Sequence, residues 1–155
     1  SVYLGAYYKE NLVGVMTFKI NNKNKKSWEL TRFATDINTV CQGIGGKLFK
    51  YFIENYFPDE VKSFADRRWT TNERDNLYTK IGFVFDSYIK PDYKYYNPKI
   101  NRYLRIHKFN FRKKNLSKQY GFPLTMTETE MVKELGYDRI WDCGLIKYVW
   151  TNKEN

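Results

Sequence analysis

The sequence predicts an α+β fold, a mixed and mostly antiparallel twisted sheet with one parallel strand–helix–strand crossover. Three observations carry this. Two apolar or alternating runs open the chain around a polar turn. Strand, helix, strand, helix and strand patterns then follow across 27–89. A glycine run, Gly43-Ile44-Gly45-Gly46, stands where the first of those helices starts. At 155 residues the chain has the length of one domain with a real core, and 19% aromatic residues argue against disorder.

Tyr3–Tyr8 and Leu12–Ile20 read as strands joined by Lys9-Glu10-Asn11. Asn21–Lys26 is polar and reads as a second hairpin connection. Ser27–Thr35 is the next strand, with Trp28, Leu30 and Arg32 on one face and Glu29, Thr31 and Phe33 on the other. Gly45–Tyr56 carries the helical stripe Leu48, Phe49, Phe52, Ile53, and Pro58 closes it. Val61–Ala65 is a strand, Asn72–Lys80 a short helix and Phe83–Ile89 a strand. Asp92–Tyr96 and Arg102–Phe109 read as basic, aromatic strands. Thr127 and Glu130 form a capping box for a helix through Leu135 that Gly136 ends. Gly144–Trp150 alternates as a final strand. The expected organisation is a core over 1–96 and a basic extension over 97–155, packed on it as one domain.

Net charge is +10, and it is unevenly placed. Residues 87–127 hold ten Lys and Arg against Asp92 alone, whereas 1–86 carry +3 and 128–155 carry −2. Tyr88, Tyr93, Tyr95, Tyr96, Tyr103, Phe109 and Phe111 are interleaved with the cations of that block. Cations meet phosphates and rings stack on bases, so the block reads as a nucleic-acid face; a solvated basic surface is the plainer alternative. The expected contacts are Lys94, Arg102, Arg105, Arg112, Lys113 and Lys114, with Arg67, Arg68 and Trp69 as a second group. Cys41 and Cys143 give no disulfide framework and suit a reducing compartment. No apolar run has the length of a membrane span or a signal-peptide core. The chain begins Ser1-Val2 and enters a strand almost at once, as a fragment or a processed chain does. One histidine, His107, and two distant cysteines make no zinc site, and the basic block lacks the clustered carboxylates of a metal-dependent nuclease.

Two segments carry chemistry. Gly43-Ile44-Gly45-Gly46-Lys47-Leu48-Phe49 follows a strand and opens a helix, which presents free N–H groups and a positive helix end to an anion. Leu77-Tyr78-Thr79-Lys80-Ile81-Gly82-Phe83 ends a short helix on glycine and enters a strand. In this order and at this distance the two resemble the GNAT acetyltransferase superfamily, over about Tyr3 to Tyr96. The family's opening strand and paired helices have no counterpart here.

The resemblance implies acetyl-CoA as cofactor, without a metal. Its pyrophosphate would lie on Gln42, Gly43, Ile44, Gly45, Gly46 and Lys47, so that a side chain at Gly45 would occupy the anion's place. Val40 stands where the family has Arg or Gln, and Gln42 is the nearby polar substitute. Tyr78 resembles the family tyrosine that protonates the departing thiolate; a phenol near 10 is a suitable acid for a thiol near 8.5. A core aromatic with a backbone partner is the other reading of Tyr78. Glu29 is the general-base candidate, with a solvated carboxylate as its plainer reading; Asp66 is the alternative carboxylate, with an internal ion pair to Arg67 or Arg68 as its plainer reading.

Glu134–Gly144 and Phe64–Trp69 further resemble segments of phage-encoded proteins described as homing-endonuclease-like, downstream of a GNAT-like core. That likeness implies a nucleic-acid-binding domain, part of a larger nuclease or DNA-modifying protein with a nuclease domain N-terminal to it, acting in the cytoplasm of a host cell and not at a membrane. The alternative is an acetyl-CoA-dependent N-acyltransferase whose acceptor is an amine or a nucleic-acid-linked group.

Overall fold

The computed structural model describes residues 1–152. In chain order the elements are β1 (Val2–Tyr8), β2 (Asn11–Asn21), β3 (Asn24–Thr35), α1 (Ile44–Tyr56), β4 (Glu60–Asp66), α2 (Leu77–Lys80) and β5 (Val84–Ile89). Then come β6 (Tyr93–Asn97), α3 (Pro98–Asn101), β7 (Arg102–His107), a 3-10 turn (Lys108–Phe111), α4 (Lys113–Tyr120), α5 (Glu128–Glu134), β8 (Asp138–Trp141) and β9 (Leu145–Thr151). The described residues form two compact units, one of residues 1–89 with 145–152, the other of 90–144.

The first unit is a six-stranded sheet in the order β1-β2-β3-β4-β9-β5. Every pairing is antiparallel except β3 with β4. That parallel pair is the one α1 connects, because parallel neighbours need a long crossover. The α1 stripe lies on the sheet as its spacing requires, with Leu48, Phe49 and Phe52 buried. Phe52 is fully buried, stacks on Phe18 with ring centroids 3.6 Å apart, and meets Trp28 edge-on at 5.3 Å. Phe52→Ala removes the ring that joins helix to sheet and should cost about 3–5 kcal/mol in urea unfolding. A loss below about 1 kcal/mol would mean that α1 is not packed this way.

The base of the parallel pair is fastened by Glu60, which accepts a hydrogen bond from Ser27 Oγ (3.0 Å) and pairs with Lys62 (2.9 Å). Burial opposes ionisation of Glu60, but these partners outweigh it and hold the carboxyl below its ordinary value of 4.5. A depressed folded value means that the stabilisation exists above the ordinary range and is lost as pH falls through the folded value. Glu60→Gln should therefore narrow the gap between urea midpoints measured at pH 7 and in acid. An unchanged gap would assign the acid sensitivity elsewhere.

The second unit is a three-stranded sheet, β7-β6-β8, antiparallel throughout. Tyr95 of β6 is fully buried among Phe111, Leu116, Met131 and Val132. The Thr127–Glu130 capping box starts α5, and Gly136 follows it with φ 74°.

The structure draws the division elsewhere than at residue 97. Leu145–Thr151 belongs to the first sheet, since Ile146 and Tyr148 fill its core between β4 and β5. Tyr93–Asn97 belongs to the second. The helix expected from Asn72 begins at Leu77, because Asn72 turns the chain by accepting from the N–H groups of Arg74 and Asp75 while Asn76 supplies the cap. No described helix is long and apolar enough to cross a membrane.

Candidate functional site

The parallel pair β3–β4 forks. Its register runs from Ser27 opposite Glu60 to Leu30 opposite Ser63 and stops there, although β3 continues to Thr35 and β4 to Asp66. The cause is a bulge. Thr17 pairs with Arg32 and Phe18 with Leu30, which leaves Thr31 as the extra residue on β3. Its hydroxyl lies 2.8 Å from Thr17 Oγ1 and 3.1 Å from Thr17 O. At the apex, buried Ser63 donates its hydroxyl to Leu30 O at 2.9 Å. Beyond it the facing edges of Thr31–Thr35 and Phe64–Asp66 do not pair with each other. The bulge also reverses the alternation expected past Leu30: Phe33 packs against the core and Arg32 is exposed.

The glycine turn sits at this fork. Gly43 has φ 74° and α1 has no side-chain cap and no acidic residue in its first turn. The first intrahelical bond is Lys47 N–H to Gly43 O (3.0 Å), so the N–H groups of Ile44, Gly45 and Gly46 precede the ladder and Lys47 offers its exposed side chain instead. Gly45 does not face an anion with its Cα hydrogens. A Cβ there would lie 3.1 Å from Leu77 Cδ1 and 3.3 Å from Phe33 Cζ, so this glycine lets α1 approach the end of β3 and the start of α2. Around a Cβ at Gly46 there is open space. Gln42 and Lys47 also line a groove of about 640 Å³ beside β1, with Tyr7 and Tyr51.

Tyr78 is placed by its neighbours. Asn76 caps α2, accepting from the N–H groups of Tyr78 (2.9 Å) and Thr79 (3.3 Å). The same side chain donates to Tyr148 Oη at 2.7 Å, and Tyr148 donates to Glu73 O at 3.0 Å. Tyr148 is fully buried, and burial raises its phenol pKa. The Tyr78 ring stacks on it with centroids 5.0 Å apart and meets Phe83 edge-on. The Tyr78 hydroxyl makes no hydrogen bond among the described residues, whereas that of Tyr148 is fully occupied.

Glu29 is half-buried on the other face of the sheet, one residue before the apex, with Lys19 and Lys62 as its register neighbours. It and Tyr78 thus approach the fork from opposite faces. Asp66 forms no ion pair among the described residues: its carboxylate accepts the Arg68 N–H at 2.8 Å and turns the chain out of β4. Arg67 lies over the Tyr88 ring at 4.9 Å and Arg68 over Trp69 at 6.0 Å. The residues expected to touch nucleic acid fall into both units. Arg67, Arg68 and Trp69 are in the first; Lys94 on β6, Arg102 and Arg105 on β7, and Arg112, Lys113 and Lys114 at the start of α4 are in the second. No group of three metal-ligating side chains occurs among the described residues.

The sequence assigns Asn76, Tyr148, Thr31 and Ser63 to elements but gives them no role in the site. Asn76 and Thr79 have cap spacing and were findable; Tyr148 is 72 residues from Asn76, and no local pattern joins them.

No family model matches this chain, and no curated protein matches it. Solved structures do. A GNAT family acetyltransferase from Elizabethkingia anophelis with acetyl-CoA bound is 17% identical, with 97% of this chain and 75% of that one covered at a TM-score of 0.53. An acetyltransferase from Bacillus subtilis in complex with CoA is 14% identical over 97% and 76%, at 0.54. The diaminobutyrate acetyltransferase of Paenibacillus lautus, in complex with L-2,4-diaminobutyric acid and CoA, is 10% identical over 99% and 71%, at 0.54. At these identities the likeness is one of architecture: the chain has the GNAT acetyltransferase fold.

Proposed function

We propose that this chain is an acyl-CoA-dependent N-acyltransferase. The observation that carries the reading is the β3–β4 fork beneath an uncapped, glycine-rich helix end. Unpaired strand edges can pair with the amides of an extended chain, and orphan N–H groups at a positive helix end donate to its phosphates. CoA has both parts in that order, and solved relatives of this fold bind it. Acetyl-CoA supplies an acyl group activated as a thioester. Ile44, Gly45 and Gly46 hold the pyrophosphate through their N–H groups, and Lys47 adds a positive charge.

An ammonium acceptor is unreactive until it loses a proton. Glu29, beside Lys19 and Lys62 on the open face, takes that proton directly or through a water. Tyr78 returns one to the leaving sulfur. Its ring is held by Tyr148 and Phe83 while its hydroxyl has no partner among the described residues, as a donor in waiting requires. Calorimetric titration with acetyl-CoA should give one site, followed by thiol release once a suitable amine is added. No heat and no thermal shift at millimolar ligand would reduce the chain to a shared fold.

A further inference from the structure

In the second unit, residues 90–127 carry ten cations, and their single carboxylate, Asp92, is held by Lys108 at 2.7 Å. The remaining cations of that block form no ion pair among the described residues. Three of them, Arg102, Arg105 and Arg112, instead lie over aromatic rings on or beside the β7-β6-β8 sheet. On β6, Tyr95 points into the core, so Lys94 and Tyr96 point away from it. The register places His107 beside Lys94, and the Arg105 guanidinium lies over the Tyr96 ring at 5.0 Å. Two residues earlier on β7, Tyr103 is 76% exposed, with Arg102 over its ring at 4.9 Å and bonded to its hydroxyl. Past the strand, Phe109 is 64% exposed, lies 6.1 Å from the His107 ring and has Arg112 over it at 5.3 Å.

We propose that this face, with Tyr96, Tyr103 and Phe109 as rings and Lys94, Arg102, Arg105 and Arg112 as cations, is a platform for single-stranded nucleic acid. Cations without counter-ions call for a polyanion. Exposed rings beside each guanidinium add what an acidic protein does not need: a flat surface for a base, next to the charge for its phosphate. A duplex keeps its bases stacked inside and has no face to offer these rings, which selects the single strand. The proposal stands independently of acyl transfer.

The test is fluorescence anisotropy of the full chain with a labelled oligothymidine of about twenty nucleotides, titrated over a range of salt. With about five phosphates engaged, log affinity against log salt should fall with a slope of about −3.5. Replacing Arg102, Arg105 and Arg112 together by Ala should flatten the slope by about two. Tyr103→Leu with Phe109→Leu should weaken binding about tenfold or more and leave the slope unchanged. Both sets change exposed side chains, and far-ultraviolet circular dichroism checks that the unit stays folded. Equal binding of a duplex or of polyglutamate of matched charge would overturn the proposal, as would native affinity in the Tyr103/Phe109 variant, since either result leaves bare charge attraction only.

Discussion

Tyr78→Phe should lower the rate of thiol release from acetyl-CoA by about a hundredfold or more, while acetyl-CoA affinity stays within about twofold of the native value. The ring does the packing: it stacks on Tyr148 and meets Phe83, and both contacts survive in Phe. The hydroxyl bonds to nothing among the described residues, so its removal strands no donor or acceptor, and stability should hold within about 1 kcal/mol. Without a proton, the sulfur must leave as a thiolate. The contrast is Tyr148→Phe, where Asn76 Nδ2 and Glu73 O both lose a partner. That change should cost about 1–3 kcal/mol of stability and loosen the cap of α2. If Tyr78→Phe destabilises as much as Tyr148→Phe and leaves the rate alone, the acid lies elsewhere.

How legible this site was depended on the range of the interactions that build it. The α1 stripe, the Thr127 capping box and the glycines after α2 and α5, Gly82 and Gly136, are set by neighbours within one or two turns, and they appear where their spacing puts them. The fork was not legible, because its cause is a one-residue slip between β2 and β3. Strict alternation from Trp28 would carry Arg32 to the core, and Thr31 undoes that with two hydrogen bonds to Thr17. Nor does local pattern tell that β9 enters between β4 and β5, which leave the chain nearly sixty residues or more before it. Helix α4 was missed for a different reason. It buries only Leu116, so it has hardly any apolar stripe to read. The Asp66 carboxylate had two adjacent arginines to pair with and took a backbone N–H instead, as Asp at a strand end commonly does.

Gly46→Asp should move stability and cofactor affinity in opposite directions. A side chain at this position enters open space, so the fold has nothing to yield. Gly46 is the third residue of α1, whose first turn holds no acidic group. A carboxylate there meets the positive helix end and should stabilise by about 0.3–1 kcal/mol, beyond what replacing a helical glycine already gives. The same carboxylate would stand where the pyrophosphate is held. At about 4 Å and partial exposure, repulsion between such charges is worth a few kcal/mol, which is about a hundredfold or more in affinity for acetyl-CoA. Gly46→Ala separates charge from bulk and should bind within about threefold of native if the N–H groups alone hold the anion. Gly45→Asp offers the opposite control, because its Cβ meets Leu77 and Phe33; there affinity and stability should fall together. Calorimetry and thermal melts on the three variants decide the matter: a Gly46→Asp protein that melts higher and still binds acetyl-CoA as native would show that the phosphates rest somewhere other than on this turn.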